Sequence, residues 1–68
     1  MQEIEVKRNL NKMVSYGGKD DLYMLTGVVF RREINNGPFY YTAELTDTKA
    51  GNLIYDALDK VAAIDNAP

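Results

Sequence analysis

The chain has no histidine and no cysteine, and Ser15 is its only serine. It therefore lacks the commonest general base, the commonest metal ligand and the thiol nucleophile, which excludes most catalytic designs on residue type alone. A Ser-His-Asp arrangement is impossible. A pair of Ser15 with Lys12 or Lys19 would need a burial that a position beside a glycine turn seldom provides. The missing cysteines also remove the disulfides by which small secreted domains compensate for a thin core, so the expected compartment is the reducing cytoplasm. No apolar run approaches the roughly 20 residues that span a bilayer, and Met1-Gln2-Glu3-Ile4-Glu5 is acidic where a signal peptide is basic. The expectation is a soluble protein with no membrane contact, no metal and no cofactor.

Sixty-eight residues allow one domain, 1–68. A chain this short buries only about 60% of the surface its unfolded form exposes, and a dimer would add to that. With 46% hydrophobic and 26% charged residues the composition is that of a globular protein. A net charge of −2 opposes tight non-specific binding to nucleic acid, which depends on neutralising many phosphates, and leaves room only for a local basic patch.

Along the chain, Ile4, Val6, Arg8 and Leu10 alternate with their neighbours as in a weak strand, and Met13-Val14-Ser15-Tyr16 is a second short strand. Gly17-Gly18-Lys19-Asp20 reads as a tight turn, since paired glycines supply positive φ. A central hairpin spans 22–46. Leu22 to Glu33 is rich in β-branched and aromatic residues, and Phe39, Tyr41, Ala43 and Leu45 share one face of the next strand. A turn at Asn35-Asn36-Gly37-Pro38, of two or four loop residues, sets Ile34 opposite Phe39, Phe30 opposite Ala43 and Val28 opposite Leu45. One face is then apolar, and the other carries Val29, Arg31 and Glu33 beside Glu44, Thr42 and Tyr40.

After Asp47, a plausible N-cap, Ala50, Leu53, Ile54, Ala57, Leu58, Val61 and Ile64 recur at helical spacing and predict a helix over about 48–64. Gly51 and the strand-like Leu53-Ile54-Tyr55 oppose it, leaving residues 52–58 open between helix and strand. Asn66-Ala67-Pro68 is expected to fray. The fold expected is thus α+β: a small antiparallel β-meander of three to four strands with the C-terminal helix packed on one face. The alternative is a five-stranded, SH3-like small barrel.

Three candidate chemistries meet simple objections. On the expected register, Glu33 and Glu44 lie four positions apart, roughly 13 Å, beyond the roughly 5 to 9.5 Å of a glycosidase pair. Asp20-Asp21 and Asp56 with Asp59 lack the ligand density of a calcium loop. Gly17-Gly18-Lys19 lacks the GxxxxGK spacing, and Asp20 stands where Ser or Thr would bind magnesium. The expectation is a protein that is not an enzyme.

Binding is what remains, and the five tyrosines carry it best, because tyrosine joins a large contact area to a polar tip. Tyr41 is expected in the core, and Tyr55 on the polar side of the helix. The candidate binding residues are Arg31, Arg32, Tyr40, Thr42 and Tyr55. A protein partner or self-association through an exposed sheet edge is the leading expectation. The alternative is nucleic acid on the exposed sheet face, supported by Lys7, Arg8 and Lys19. A three-stranded sheet backed by a C-terminal helix looks, in architecture alone, like the arm-binding domains of some integrases.

The segments EVKRNLNKMVSYGG, LYMLTGVVFRRE and GPFYYTAEL resemble short uncharacterised proteins of phages and conjugative elements of Gram-positive gut bacteria. The resemblance contains no site motif. It implies an accessory protein of a mobile element.

Overall fold

The computed structural model describes residues 1–17 and 22–64. It contains helix α1 (Glu3–Asn9) and strands β1 (Met13–Tyr16), β2 (Leu22–Arg32), β3 (Phe39–Thr46), β4 (Leu53–Ala57) and β5 (Val61–Ala63), with a 3-10 turn at Leu58–Lys60. The strands form one antiparallel sheet in the order β4-β3-β2-β1-β5. The C-terminal helix is absent. Five strands replace the three or four expected; the number matches the alternative reading, but among the described residues β4 and β5 do not pair to close the SH3-like barrel it named, and are joined only through the 3-10 turn.

The reason lies in Asp47 and Gly51. Asp47 Oδ1 accepts from the Lys49 and Ala50 amides at 2.9 and 3.3 Å, as a capping side chain should. The turn it starts closes at once, with the Gly51 amide on the Asp47 carbonyl at 2.7 Å. Gly51 has φ +78°, a left-handed conformation that stops a helix. The Asp47 amide then bonds the Asn52 carbonyl at 2.8 Å, and the chain runs back as β4 beside β3. The helical spacing of Leu53, Ile54, Ala57 and Leu58 coexists with a strand because Ile54 faces the core while Leu53 and Tyr55 face solvent.

The first strand expected is instead α1. The Gln2 amide donates to the Glu5 carboxylate at 3.1 Å, Glu3 and Glu5 occupy the first turn, and Lys7 and Arg8 occupy the last, which suits the helix dipole. Of the alternating apolar residues only Val6 packs on the core; Ile4 is exposed.

The core is Val14, Leu25, Ala43, Leu45, Leu58 and Val61, with Met1, Val6, Tyr16, Tyr23, Val28, Tyr41 and Ile54 packed against it. Leu25 pairs with Leu45, and Gly27 with Glu44, so Thr26 is an extra residue forming a β-bulge. Beyond the bulge, Val28 faces Ala43, Phe30 faces Tyr41 and Arg32 faces Phe39. The register is thus two residues off the one expected. The loop is longer: the last ladder pair is Arg32 with Phe39, so Glu33 to Pro38 lie outside it, closed by the Glu33 amide on the Pro38 carbonyl at 3.1 Å and with Asn35 and Asn36 at positive φ. Parity is unchanged by a two-residue slip, so the predicted apolar face of the hairpin is the observed one. Of the expected glycine turn only Gly17 is described; Gly18, Lys19 and Asp20, and the segment Asn66-Ala67-Pro68 expected to fray, lie outside the described residues.

Candidate interaction surface

The strands differ in length, and that difference builds the surface. β2 has 11 residues and β1 has four, so β1 reaches only Leu22, Tyr23 and Met24. β4 pairs with β3 from Thr42 to Thr46. Among the described residues the segments Phe30 to Arg32 and Phe39 to Tyr41 therefore pair only with each other, and leave the sheet as a two-stranded arm.

On the core-facing side of this arm four side chains form a continuous ladder. The Arg32 guanidinium lies 4.7 Å from the Phe39 ring centre, Phe39 stacks on Phe30 at 5.0 Å and 11°, and Phe30 meets Tyr41 at 4.9 Å and 38°. Arg32 is held over the ring by hydrogen bonds from Nε to the Gly37 carbonyl at 3.0 Å and from a terminal nitrogen to the Asn36 carbonyl at 3.3 Å. Phe30 and Phe39 are nevertheless each 58% exposed, and Ile34 at the tip is 87% exposed. At the root, an open groove of about 350 Å³ lies between the start of α1 and the sheet, lined by Glu3, Tyr40, Tyr41, Leu58 and Asp59 among others. Burial, and then the neighbouring Glu3 carboxylate, push the Tyr41 hydroxyl pKa up.

The opposite face of the hairpin carries a polar network. Glu44 accepts from Thr26 at 2.7 Å and from the Tyr55 hydroxyl at 2.9 Å, and the Thr26 and Thr46 hydroxyls are 3.0 Å apart. A hydroxyl has one proton, so Thr46 donates to Thr26 once Thr26 donates to Glu44. The Thr26 bond, and then that from Tyr55, hold the Glu44 carboxyl below its usual pKa. Gly27 makes room: a Cβ there would sit 3.3 Å from Glu44 Oε2. A second carboxylate, Asp56, accepts from the Tyr16 hydroxyl and from the Ala57 amide at 2.7 Å, with Lys60 Nζ at 3.6 Å. The Tyr16 bond is the main cause of its lowered pKa, and the same bond is the main cause of the raised Tyr16 pKa.

The five expected binding residues do not form one surface. Arg31 and Tyr40 are paired across the hairpin on the outer face. Thr42, between Val29 and Ala57, is only 8% exposed. Arg32 projects from the other face, onto Phe39. Tyr55 lies on the edge strand β4 rather than on a helix, tied to Glu44. Phe30 and Phe39 were assigned to the apolar face without any sign that it is uncovered there. The signal available in the sequence was the length of the run from Leu22 to Glu33 beside short neighbours.

The carboxylate pair moves further apart than expected. Gly27 faces Glu44, and Glu33 lies six positions further along, roughly 20 Å. Among the described residues no group of three or more His, Cys, Asp or Glu could hold a metal ion, and no helix is long and apolar enough to cross a membrane. Comparison with protein-family models, curated proteins and solved structures gave no match.

Proposed function

We propose that the chain is a small non-enzymatic protein-interaction module whose contact surface is the core-facing side of the β2–β3 arm. The observation that carries this reading is the exposed ladder of Phe30 and Phe39 on a segment that no element covers among the described residues. Large apolar rings left together in water on a projecting hairpin are what a protein interface covers. The wider balance of the chain supports it. Among the described residues six apolar side chains form the buried core, while ten large hydrophobic residues are exposed.

Single-stranded nucleic acid fits the same surface less well. Base binding by stacking needs free ring faces, and here the faces of Phe39 and Phe30 lie against Arg32, against each other and against Tyr41. What the ladder presents outward is ring edges and apolar perimeter, suited to aliphatic and aromatic side chains. The phage and conjugative-element resemblance and the expected cytoplasmic location agree with an accessory protein that acts on a partner.

The test is capture from an extract of the source cell by the immobilised chain, in parallel with a Phe30→Ser/Phe39→Ser variant whose circular dichroism is unchanged. Protein bands or self-association present with the native chain and lost with the variant support the reading. Recovery of nucleic acid alone, with a steep salt dependence, overturns it.

A further inference from the structure

The arm face has a charge pattern that selects its occupant. Arg32 stands at the tip end of the ladder, the rings of Phe39 and Phe30 at its centre, and Tyr41 with the Glu3 carboxylate at its root end. The strip is therefore cationic at one end, apolar in the middle and anionic at the other. Such a strip is complementary to itself turned through 180°. A two-fold axis at the Phe30–Phe39 pair superposes the apolar centres and brings each cationic end onto the other copy's anionic end, which is the rule of an isologous interface.

We propose that this face is the interface between two copies of the chain, related by that axis, with Arg32 of each copy meeting Glu3 of the other. The proposal rests on the reading of the arm as a protein-binding surface and names its partner. Two further observations favour a second copy. The core is small for the apolar surface the chain displays, and pairing covers Phe30 and Phe39 in both copies at once. The arm also has its geometry set before association, since Arg32 is fixed by two loop carbonyls and by the Phe39 ring, so little side-chain entropy is lost on docking.

The area sets the strength. Phe30 and Phe39 together offer on the order of 250 Å² per copy, about a third of what each partner buries in a standard interface. Glu3, Arg32 and Tyr41 at the rim extend this. The dimer is accordingly weak and reversible, at the low end of interface sizes.

Sedimentation equilibrium of the whole chain from about 1 to about 300 µM, the range of weak, reversible association, tests the proposal. A monomer–dimer transition is expected, abolished by Phe30→Asp without change in circular dichroism. Arg32→Glu and Glu3→Arg should each weaken the dimer about tenfold or more, and the two together in one chain should restore it to within about threefold of the native value, as reciprocal pairing requires. A native chain that stays monomeric throughout overturns the proposal. So does a dimer insensitive to Phe30→Asp, or a doubly reversed chain as weak as the single variants. A monomeric chain that still captures another protein through Phe30 and Phe39 overturns the second copy while sparing the arm as a protein-binding surface. Phe30→Asp/Phe39→Asp changing neither capture nor self-association overturns both.

Discussion

Replacing Gly51 by alanine has opposite signs in the two folds that the sequence allows for its last segment. In a helix over 48–64, Gly51→Ala would stabilise the protein by about 1 kcal/mol, because glycine is the poorer helix former. In the structure Gly51 closes the β3–β4 turn at φ +78°, and an added Cβ would meet nothing within 4 Å, so the whole effect is conformational. Holding an L-residue in the left-handed region costs about 1 to 2 kcal/mol. Restricting the unfolded chain returns about 0.4 to 1 kcal/mol. The net expectation is destabilisation by about 0.5 to 1.5 kcal/mol, a large share of the roughly 3 to 10 kcal/mol that a chain of this length possesses. Urea unfolding followed by circular dichroism measures it: with a slope near 1 kcal/mol per molar, the midpoint should fall by about 0.5 to 1.5 M. D-alanine, which is at ease at positive φ and accessible by chemical synthesis, should raise the midpoint instead. A rise with L-alanine would refute the turn and restore the helix.

Other expectations use the same measurements. Leu45→Ala, at a fully buried position paired with Leu25 and Ile54, should cost about 3 to 5 kcal/mol and leave the chain largely unfolded, whereas Leu53→Ala on the exposed face of β4 should stay within about 0.5 kcal/mol; equal costs would misplace the core. Asp56 and Glu44 both have folded pKa values below their unfolded ones, so their contributions are complete above about pH 4 and are lost as pH falls through the folded values. Acid titration of Asp56→Asn and Glu44→Gln should show a shallower loss of stability below pH about 4 than the native chain, and an unchanged slope would contradict the hydrogen bonds described. Tyr16 and Tyr55 titrate above the usual value because each donates to a carboxylate, Asp56 and Glu44 respectively. Their stabilisation is complete below about pH 10 and is lost as pH rises through the raised values, so tyrosinate absorbance should show a late-titrating class that shrinks in Tyr16→Phe/Tyr55→Phe to the contribution of Tyr41, whose pKa is raised by burial and Glu3.

The hairpin faces were legible because a strand's side-chain period is two, and a loop misjudged by two residues leaves every side chain on its proper face. Phe30, Phe39, Tyr41, Ala43 and Leu45 are all where alternation puts them. Alternation does not say whether anything lies over that face, and the helix expected to cover it does not form. The two terminal segments failed for a common reason. Ile4, Val6 and Leu10 match a strand period by spacing while only Val6 meets the core, and the residues from Ala50 to Ile64 match a helical period while a single left-handed glycine directs the chain into β4. In seven to fifteen residues either period can arise by chance, and turn geometry then decides. The binding candidates suffered from the same limit: Arg31 and Arg32 are neighbours in sequence, and strand geometry sends them to opposite faces.

The bulge at Thr26 also governs how β2 tolerates changes in length. Loss of one residue from a strand ordinarily turns every later side chain to the wrong side, which makes deletions among the most damaging changes a sheet can undergo. Thr26 is already supernumerary, since Leu25 pairs with Leu45 and Gly27 with Glu44. Its removal would leave Leu25 and Val28 facing the core and Phe30 in its place on the arm, while forfeiting the hydroxyl bond to Glu44. In a chain with so little core to lose, one codon near the middle of its longest strand is a site where a deletion preserves the pattern of the fold.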